Sequence, residues 1–172
     1  GRKQPLNTNS TSANVNNVNT SMKCLYTNVD NSLLSKYDEL CVLTATEHFD
    51  VICLTEIKPK HGEIPDTNLL NIPGYTLHIG DIVSKQTRGT CIYVNNKFKS
   101  TDITSSIRSN FNDCVWVSVT NTLNSNPILV GCIYRSGSVS TATKFDADLQ
   151  NTLRKAAALS GFSQKLIVGD LT

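Results

Sequence analysis

Four places along the chain put a chemically competent side chain at the C-terminal end of a largely apolar run: Asn28, Glu56, Tyr134 with Arg135 beside it, and Asp170. Carboxylates accept hydrogen bonds and attract cations, whereas an amide, a phenol and a guanidinium can donate to anions. Each of these residues follows a segment that reads as a β-strand, so each falls at a strand's C-terminal end. Strand ends of one sheet can converge on one pocket, and a cleft at sheet edges is a usual place for a site.

The elements that must hold them are legible in the same rows. Lys23 to Asn28 reads as a strand ending at Asn28. Asp30, Asn31 and Ser32 are N-cap candidates for a helix in which Leu33, Tyr37, Leu40 and Cys41 recur at helical spacing, as far as about His48. Asp50 to Glu56 encloses the continuously apolar Val51-Ile52-Cys53-Leu54, the pattern of a strand buried on both faces. Pro73-Gly74 turns the chain into a strand at Tyr75 to Ile79, and Gly89 to Val94 forms another, closed by Asn95-Asn96. Val115, Val117 and Val119 alternate with Trp116, Ser118 and Thr120, which predicts a strand with two unlike faces and Trp116 in the core. Ile128 to Ile133 is again doubly buried and ends at Tyr134-Arg135. Ser140 or Thr141 then caps a helix with Phe145, Leu149, Leu153 and Ala156 on one face, stopped by Gly161, and Leu166-Ile167-Val168 runs into Gly169-Asp170. Mixed helix and strand order with buried strands predicts a layered α/β domain built on sheets.

A chain of 172 residues makes one domain of ordinary size, able to bury close to 70 % of the surface its unfolded form exposes. With 39 % hydrophobic and 17 % charged residues, collagen, coiled coil and wholesale disorder are excluded. No apolar run approaches the roughly 18 residues of a membrane span, so no membrane partner is expected. Sixteen basic against fourteen acidic side chains permit a phosphate-rich partner without demanding one. The six cysteines show no C-x-x-C pair and no zinc spacing with histidine, so buried reduced thiols in an intracellular chain are expected. Residues 1 to 21 are Asn, Ser or Thr at more than half their positions, with few larger apolar groups. Such a stretch cannot repay ordering entropy and is expected to be a disordered tail before a domain spanning 22 to 172.

Six pieces, in order, carry a resemblance: Leu25-Tyr26-Thr27-Asn28, Asp50-Val51-Ile52-Cys53-Leu54-Thr55-Glu56, Pro73-Gly74-Tyr75, Arg88-Gly89-Thr90-Cys91-Ile92-Tyr93-Val94, Gly131-Cys132-Ile133-Tyr134-Arg135-Ser136 and Val168-Gly169-Asp170-Leu171. They resemble the endonuclease/exonuclease/phosphatase domain, and within it the endonuclease of non-LTR (LINE-type) retrotransposons. The resemblance runs from about Lys23 to the last residue. It implies a four-layered α/β sandwich, two mixed β-sheets face to face with helices outside, and Mg²⁺- or Mn²⁺-dependent cleavage of a phosphodiester in DNA. Carried over residue by residue, Glu56 resembles the carboxylate ligand of the metal, and Asn28 the amide that helps hold the metal and phosphate region. Tyr134 resembles a tyrosine that donates to the scissile phosphate. Asp170 resembles the acid that orients the attacking water or assists the leaving oxygen. Arg135 and Thr172 are weaker phosphate candidates. The residue types suit that chemistry: Mg²⁺ needs only one or two carboxylates beside its waters, a bound metal offsets phosphoryl charge, and neutral donors stabilise an oxyanion.

Two departures from the family stand in the sequence. Thr172 occupies the position of an Asn, and the family's later strands with their Ser-Asp-His segment have no counterpart, while His48, His61 and His78 match no family position. The expectation is therefore an incomplete domain, inactive as it stands and monomeric, with DNA as partner. Its action would be nuclear, and a reverse transcriptase would share its parent polyprotein. A non-catalytic remnant with at most weak nucleic-acid binding stays open, as does a different phosphoesterase of the same superfamily.

Overall fold

The computed structural model describes residues 5–6, 9–13, 21–59, 61–107, 110–121, 126–136 and 142–171. Nine strands form two mixed sheets among these residues. β1 (Asn9–Ala13), β2 (Met22–Asn28), β3 (Val51–Thr55), β4 (Tyr75–Ile79) and β5 (Thr90–Asn95) make the first, in the order β1-β2-β3-β5-β4. β6 (Phe98–Asp102), β7 (Cys114–Asn121), β8 (Ile128–Tyr134) and β9 (Gln164–Asp170) make the second, in that order. The β2–β3 and β8–β9 pairs are parallel and all other pairs antiparallel. Each parallel pair is joined by a helix: α1 (Leu33–Glu47) links β2 to β3, and α3 (Ala142–Ala158) links β8 to β9, while the one-turn α2 (Thr104–Ile107) lies between β6 and β7.

The pleat sorts the apolar residues into layers. Val51 and Cys53 of β3, with Cys24, Ile92 and Val94, face Val115, Val117, Val119, Val130 and Cys132 of the other sheet. The alternate residues Ile52 and Leu54 join Leu33 and Leu40 of α1 on the outer face of the first sheet. Trp116, Leu129 and Ile133 pack against Leu149 and Ala156 of α3 on the outer face of the second. Helix, sheet, sheet, helix is thus the layer order, as expected. Trp116 is fully buried opposite Gly131, where any Cβ would stand 2.3 Å from the indole ring. The ring fits only because residue 131 has no side chain.

Local chemistry fixes the ends of α1. Of the three cap candidates the structure uses Ser32, whose hydroxyl accepts from the Ser35 N–H at 3.2 Å, while Asp30 and Asn31 make a left-handed turn before it, with φ of 49° and 70°. His48 closes the helix in the left-handed region, donating its N–H to the Thr44 carbonyl at 3.2 Å. In α3, Leu149 and Ala156 are buried and Leu153 packs beside them; the Phe145 side chain and the cap candidates Ser140 and Thr141 lie outside the described residues.

One feature differs from the sequence reading, and another was not legible in it. Asn9–Ala13, inside the stretch expected to be an unstructured tail, is a strand paired antiparallel with β2, Asn9 opposite Tyr26 and Ala13 opposite Met22. The expectation weighed side-chain burial only, whereas an exposed strand edge offers a ladder of backbone donors and acceptors to any partner, polar or not. Asn95-Asn96 closes β5 as expected, but the chain then crosses between sheets, because β6 pairs with β7 and not with β5. All six cysteines are free thiols, five of them buried and Cys41 partly so. Burial pushes the Cys24 thiol up to about 12, and a thiol held un-ionised is inert.

Candidate functional site

Two parallel strand pairs, one per sheet, end at the same edge of the sandwich. Register sets Asn28 beside Thr55 at the end of β2 and β3, and Tyr134 beside Asp170 at the end of β8 and β9. Glu56 follows β3 with φ 55°. A left-handed backbone is unfavourable for a non-glycine residue by about 1–3 kcal/mol and persists where the surroundings over-determine it. Here the surroundings are three side chains. The Asn28 Nδ2 donates to Glu56 Oε1 at 3.0 Å, the Arg88 Nη2 donates to Glu56 Oε2 at 3.0 Å, and the Tyr134 hydroxyl lies beside the same carboxylate.

Asn28 is the hub of the cluster. Its Oδ1 accepts from the Asp30 N–H at 2.8 Å, which orients the amide with its nitrogen toward the cleft. That nitrogen donates to Asp170 Oδ2 at 3.4 Å as well as to Glu56. Two carboxylates from different sheets, 114 residues apart in sequence, therefore share one amide. Asp170 is held from behind, its carbonyl accepting from the Arg135 N–H at 2.8 Å. The preceding Gly169 runs so close to β8 that a Cβ there would overlap the Ile133 carbonyl oxygen at 1.8 Å, so no other residue could present Asp170 in this register.

Electrostatics follow the geometry. Tyr134 is 8 % exposed; burial first, and then the Glu56 carboxylate beside it, push the phenol well above its ordinary range, with Arg88 pulling the other way. It stays a neutral donor at any physiological pH. Tyr26, half-buried and bonded to Thr55 Oγ1 at 3.1 Å, is also raised, by burial and by the charges of Asp170 and Glu56. Arg88 and Glu56 have side chains 18 % and 14 % exposed. An ion pair so shielded is held together by more than a surface pair, and removing either partner strands the other.

The structure thus brings Asn28, Glu56, Tyr134 and Asp170 together. It turns Arg135 elsewhere: that guanidinium pairs with Asp146 of α3 at 2.8 Å, and only its backbone N–H serves the site. Thr172 lies outside the described residues. His48 caps α1 and His78 bonds Ser100 Oγ at 2.8 Å, so neither is hydrogen-bonded to the cluster. Arg88 is the site residue that sequence reading passed over, although it opens the quoted segment Arg88 to Val94. A basic residue leading directly into a doubly buried strand was the available signal, the mirror of the acid that leaves one.

Glu56 and Asp170 offer hard oxygen donors on one side of a shared amide, which suits Mg²⁺ or Mn²⁺, ions that retain several waters. Among the described residues no group of three or more His, Cys, Asp or Glu side chains forms a ready cage, so waters and substrate would complete the shell. The Asn28 amide presents nitrogen, and is therefore a carboxylate-positioning group in this arrangement and not a ligand.

No family model matches the sequence, and no curated protein matches it. Solved structures do. The endonuclease domain of TRAS1, a telomere-specific non-LTR retrotransposon, superposes with a TM-score of 0.61 at 14 % identity, over 87 % of this chain and 58 % of that one. A humanised D. rerio TDP2 gives 0.60 at 19 % identity, over 87 % and 61 %. An endonuclease/exonuclease/phosphatase family protein from Bacteroides thetaiotaomicron gives 0.56 at 10 % identity, over 96 % and 64 %. The chain spans about six tenths of the length of these structures. At such identities the likeness establishes the fold: two mixed sheets with flanking helices, as in the endonuclease/exonuclease/phosphatase proteins.

Proposed function

We propose that the cleft is the metal-binding half of a phosphodiesterase site, in the DNA-nicking endonuclease of a non-LTR retrotransposon. The observation that carries it is the meeting of Glu56 and Asp170, from different sheets, on the single amide of Asn28 with Tyr134 alongside. In this reading Glu56 and Asp170 hold Mg²⁺ or Mn²⁺, which supplies Lewis-acid stabilisation of phosphoryl charge. The chain's own groups do the rest. The neutral Tyr134 hydroxyl donates to a phosphoryl oxygen, and burial keeps that donor undissociated. Asp170 orients the water that attacks the phosphorus. Arg88, drawn to Glu56 in the free protein, has a buried Nε without a partner among the described groups and would offer it to the phosphodiester. The retrotransposon branch, DNA as substrate, action in the nucleus, a monomeric state and a reverse transcriptase in the same polyprotein belong to the same proposal, supported by the quoted motifs and by the likeness to the TRAS1 domain.

No histidine joins the described cluster, so base assistance worth roughly 10² to 10⁴ in rate is not supplied there. The 172-residue chain is accordingly expected to bind Mn²⁺ through Glu56 while nicking supercoiled plasmid no faster than a Glu56→Gln control. A second reading, a remnant that holds no metal, is favoured by one contact: Arg88 already neutralises Glu56. Calorimetric titration with Mn²⁺ separates the two. Binding that Glu56→Gln abolishes supports the metal site; binding of equal strength in both proteins, or in neither, favours the remnant.

A further inference from the structure

We propose that Asp113 is a positioning residue for this site: it fixes the spacing between Glu56 with Arg88 on the first sheet and Tyr134 on the second. The proposal rests on reading the cleft as a phosphodiesterase site. Asp113 stands immediately before β7, 9 % exposed. Its Oδ2 accepts from the Arg88 N–H at 2.7 Å and its Oδ1 from the Gly89 N–H at 3.0 Å. Its main-chain carbonyl accepts from the Tyr134 N–H at 2.9 Å. Arg88 in turn places Nη2 on Glu56. One residue therefore reaches Tyr134 through a single hydrogen bond and Glu56 through two.

The segment that Asp113 grips cannot hold itself. Gly89 has φ 82°, and a Cβ there would press to 2.6 Å from Ile57 Cγ1, so this turn is confined to glycine, the residue with the least conformational preference of its own. The Lys58 and Ile57 N–H groups hold the Arg88 and Gly89 carbonyls, at 3.1 and 3.4 Å, and the two charge-assisted bonds from Asp113 fix the amide side of the same two residues. Upstream, Asp81 Oδ1 accepts from the Val83 and Ser84 N–H groups, and the buried Lys58 donates to the Ser84 carbonyl, which shapes the approach to Arg88 without touching the cleft.

The grip responds to protonation. Burial is the dominant influence on the Asp113 carboxyl and pushes it up to about 7, against the two amides and Lys58, with Asp81 adding to the rise. The other groups facing it are Cys132 of β8, held un-ionised by burial, and Tyr134, which lines the same small cavity together with Gln86, Thr87 and Asn112. A protonated carboxyl loses the charge that strengthens both amide bonds, so Arg88 and, through it, Glu56 shift as Asp113 titrates.

The test is amide NMR of the full chain across roughly pH 5.5 to 8.5, without metal or substrate. The Arg88 and Gly89 amides are expected to move with one midpoint near 7, and the Glu56 and Tyr134 amides to move with the same midpoint. In Asp113→Asn that midpoint disappears from all four. Should the variant not fold, co-titration in the unaltered protein decides by itself. Movement of Arg88 and Gly89 with Glu56 and Tyr134 unmoved would reduce Asp113 to a structural residue and overturn the proposal, as would a midpoint that survives in Asp113→Asn. The Mn²⁺ titration of Glu56→Gln judges the site reading separately, because the amide experiment uses no metal.

Discussion

The middles of the two sheets and their shared C-terminal edge are made from the same strands, yet they are built on opposite terms. Between the sheets, Val51, Cys53, Ile92, Val115, Val117 and Cys132 interlock with almost no exposure and no charge, the Cys132 thiol donating to the Leu54 carbonyl at 3.5 Å. A few residues further along, Asn28, Glu56, Arg88, Tyr134 and Asp170 crowd charges and donors into a half-buried cleft, with one backbone in the left-handed region. The middle gains stability from every methyl group removed from water. The edge gives stability up to desolvated charge and strain, offset by the hydrogen bonds and the ion pair that join its side chains, with the Arg88 Nε left over. Fold and site are thus separable along a single strand.

That separation can be broken most directly in the middle. Ile92→Ala, at a fully buried intersheet position, is expected to lose about 2–5 kcal/mol in urea unfolding through lost transfer energy and a cavity. Glu56→Gln, one residue past β3, is expected to lose less, about 1–3 kcal/mol, because one amide oxygen cannot accept from both Asn28 and Arg88 and the guanidinium loses its charged partner, while Mn²⁺ binding is lost altogether. Equal losses from both would show that the edge also carries the fold.

The next effect lies at the edge and depends on pH. Folding raises the Asp113 carboxyl from 3.8 to about 7, so between those values the folded state binds the extra proton. The stabilisation is fully present below about pH 4 and is lost as pH rises through about 7. A shift of roughly three units sets a ceiling of about 4 kcal/mol. Melting curves of the parent and Asp113→Asn should diverge in slope across that window, and parallel curves would remove Asp113 from the account.

Two left-handed residues sharpen the contrast further. His48 and Glu56 have φ of 50° and 55°, but His48 is an exposed helix cap while Glu56 is held among three side chains. His48→Gly is expected to stabilise by about 0.5–1 kcal/mol, because glycine enters that region freely. Glu56→Gly should destabilise instead, leaving Arg88 without its carboxylate. Chemical denaturation of the two variants reads both signs. The smallest effect should come from reductant: with six free thiols, dithiothreitol should leave the melting temperature unchanged.

Much of this molecule was written in its local patterns. Continuous apolar runs gave β3 and β8, alternation gave β7 with Trp116 on its own face, and the polar residues at the strand ends named Asn28, Glu56, Tyr134 and Asp170. These features are local, because periodicity of 2 or 3.6 residues and the step from apolar to polar depend on near neighbours alone. Arg88 and Arg135 show where locality stops. Arg88 leads into a buried strand and Arg135 leaves one, but neither position says in sequence which carboxylate its guanidinium will meet. Only the pairing of β3 with β5 sends Arg88 to Glu56, 32 residues away, and only the packing of α3 on the second sheet sends Arg135 to Asp146.

The same limit applies to β1, to the crossing between sheets after Asn95-Asn96, and to Asp113. An Asn/Ser/Thr stretch becomes a strand only beside an edge that β2 leaves open, and an aspartate in a loop becomes a clamp only when two amides and a buried environment meet it. By itself the sequence determined which residues are apolar, where the strands end and which side chains stand at those ends. Tertiary structure decided which charges meet, because a hydrogen bond or ion pair between distant residues forms at one register and one sheet spacing, and those are set by the packing of the whole core.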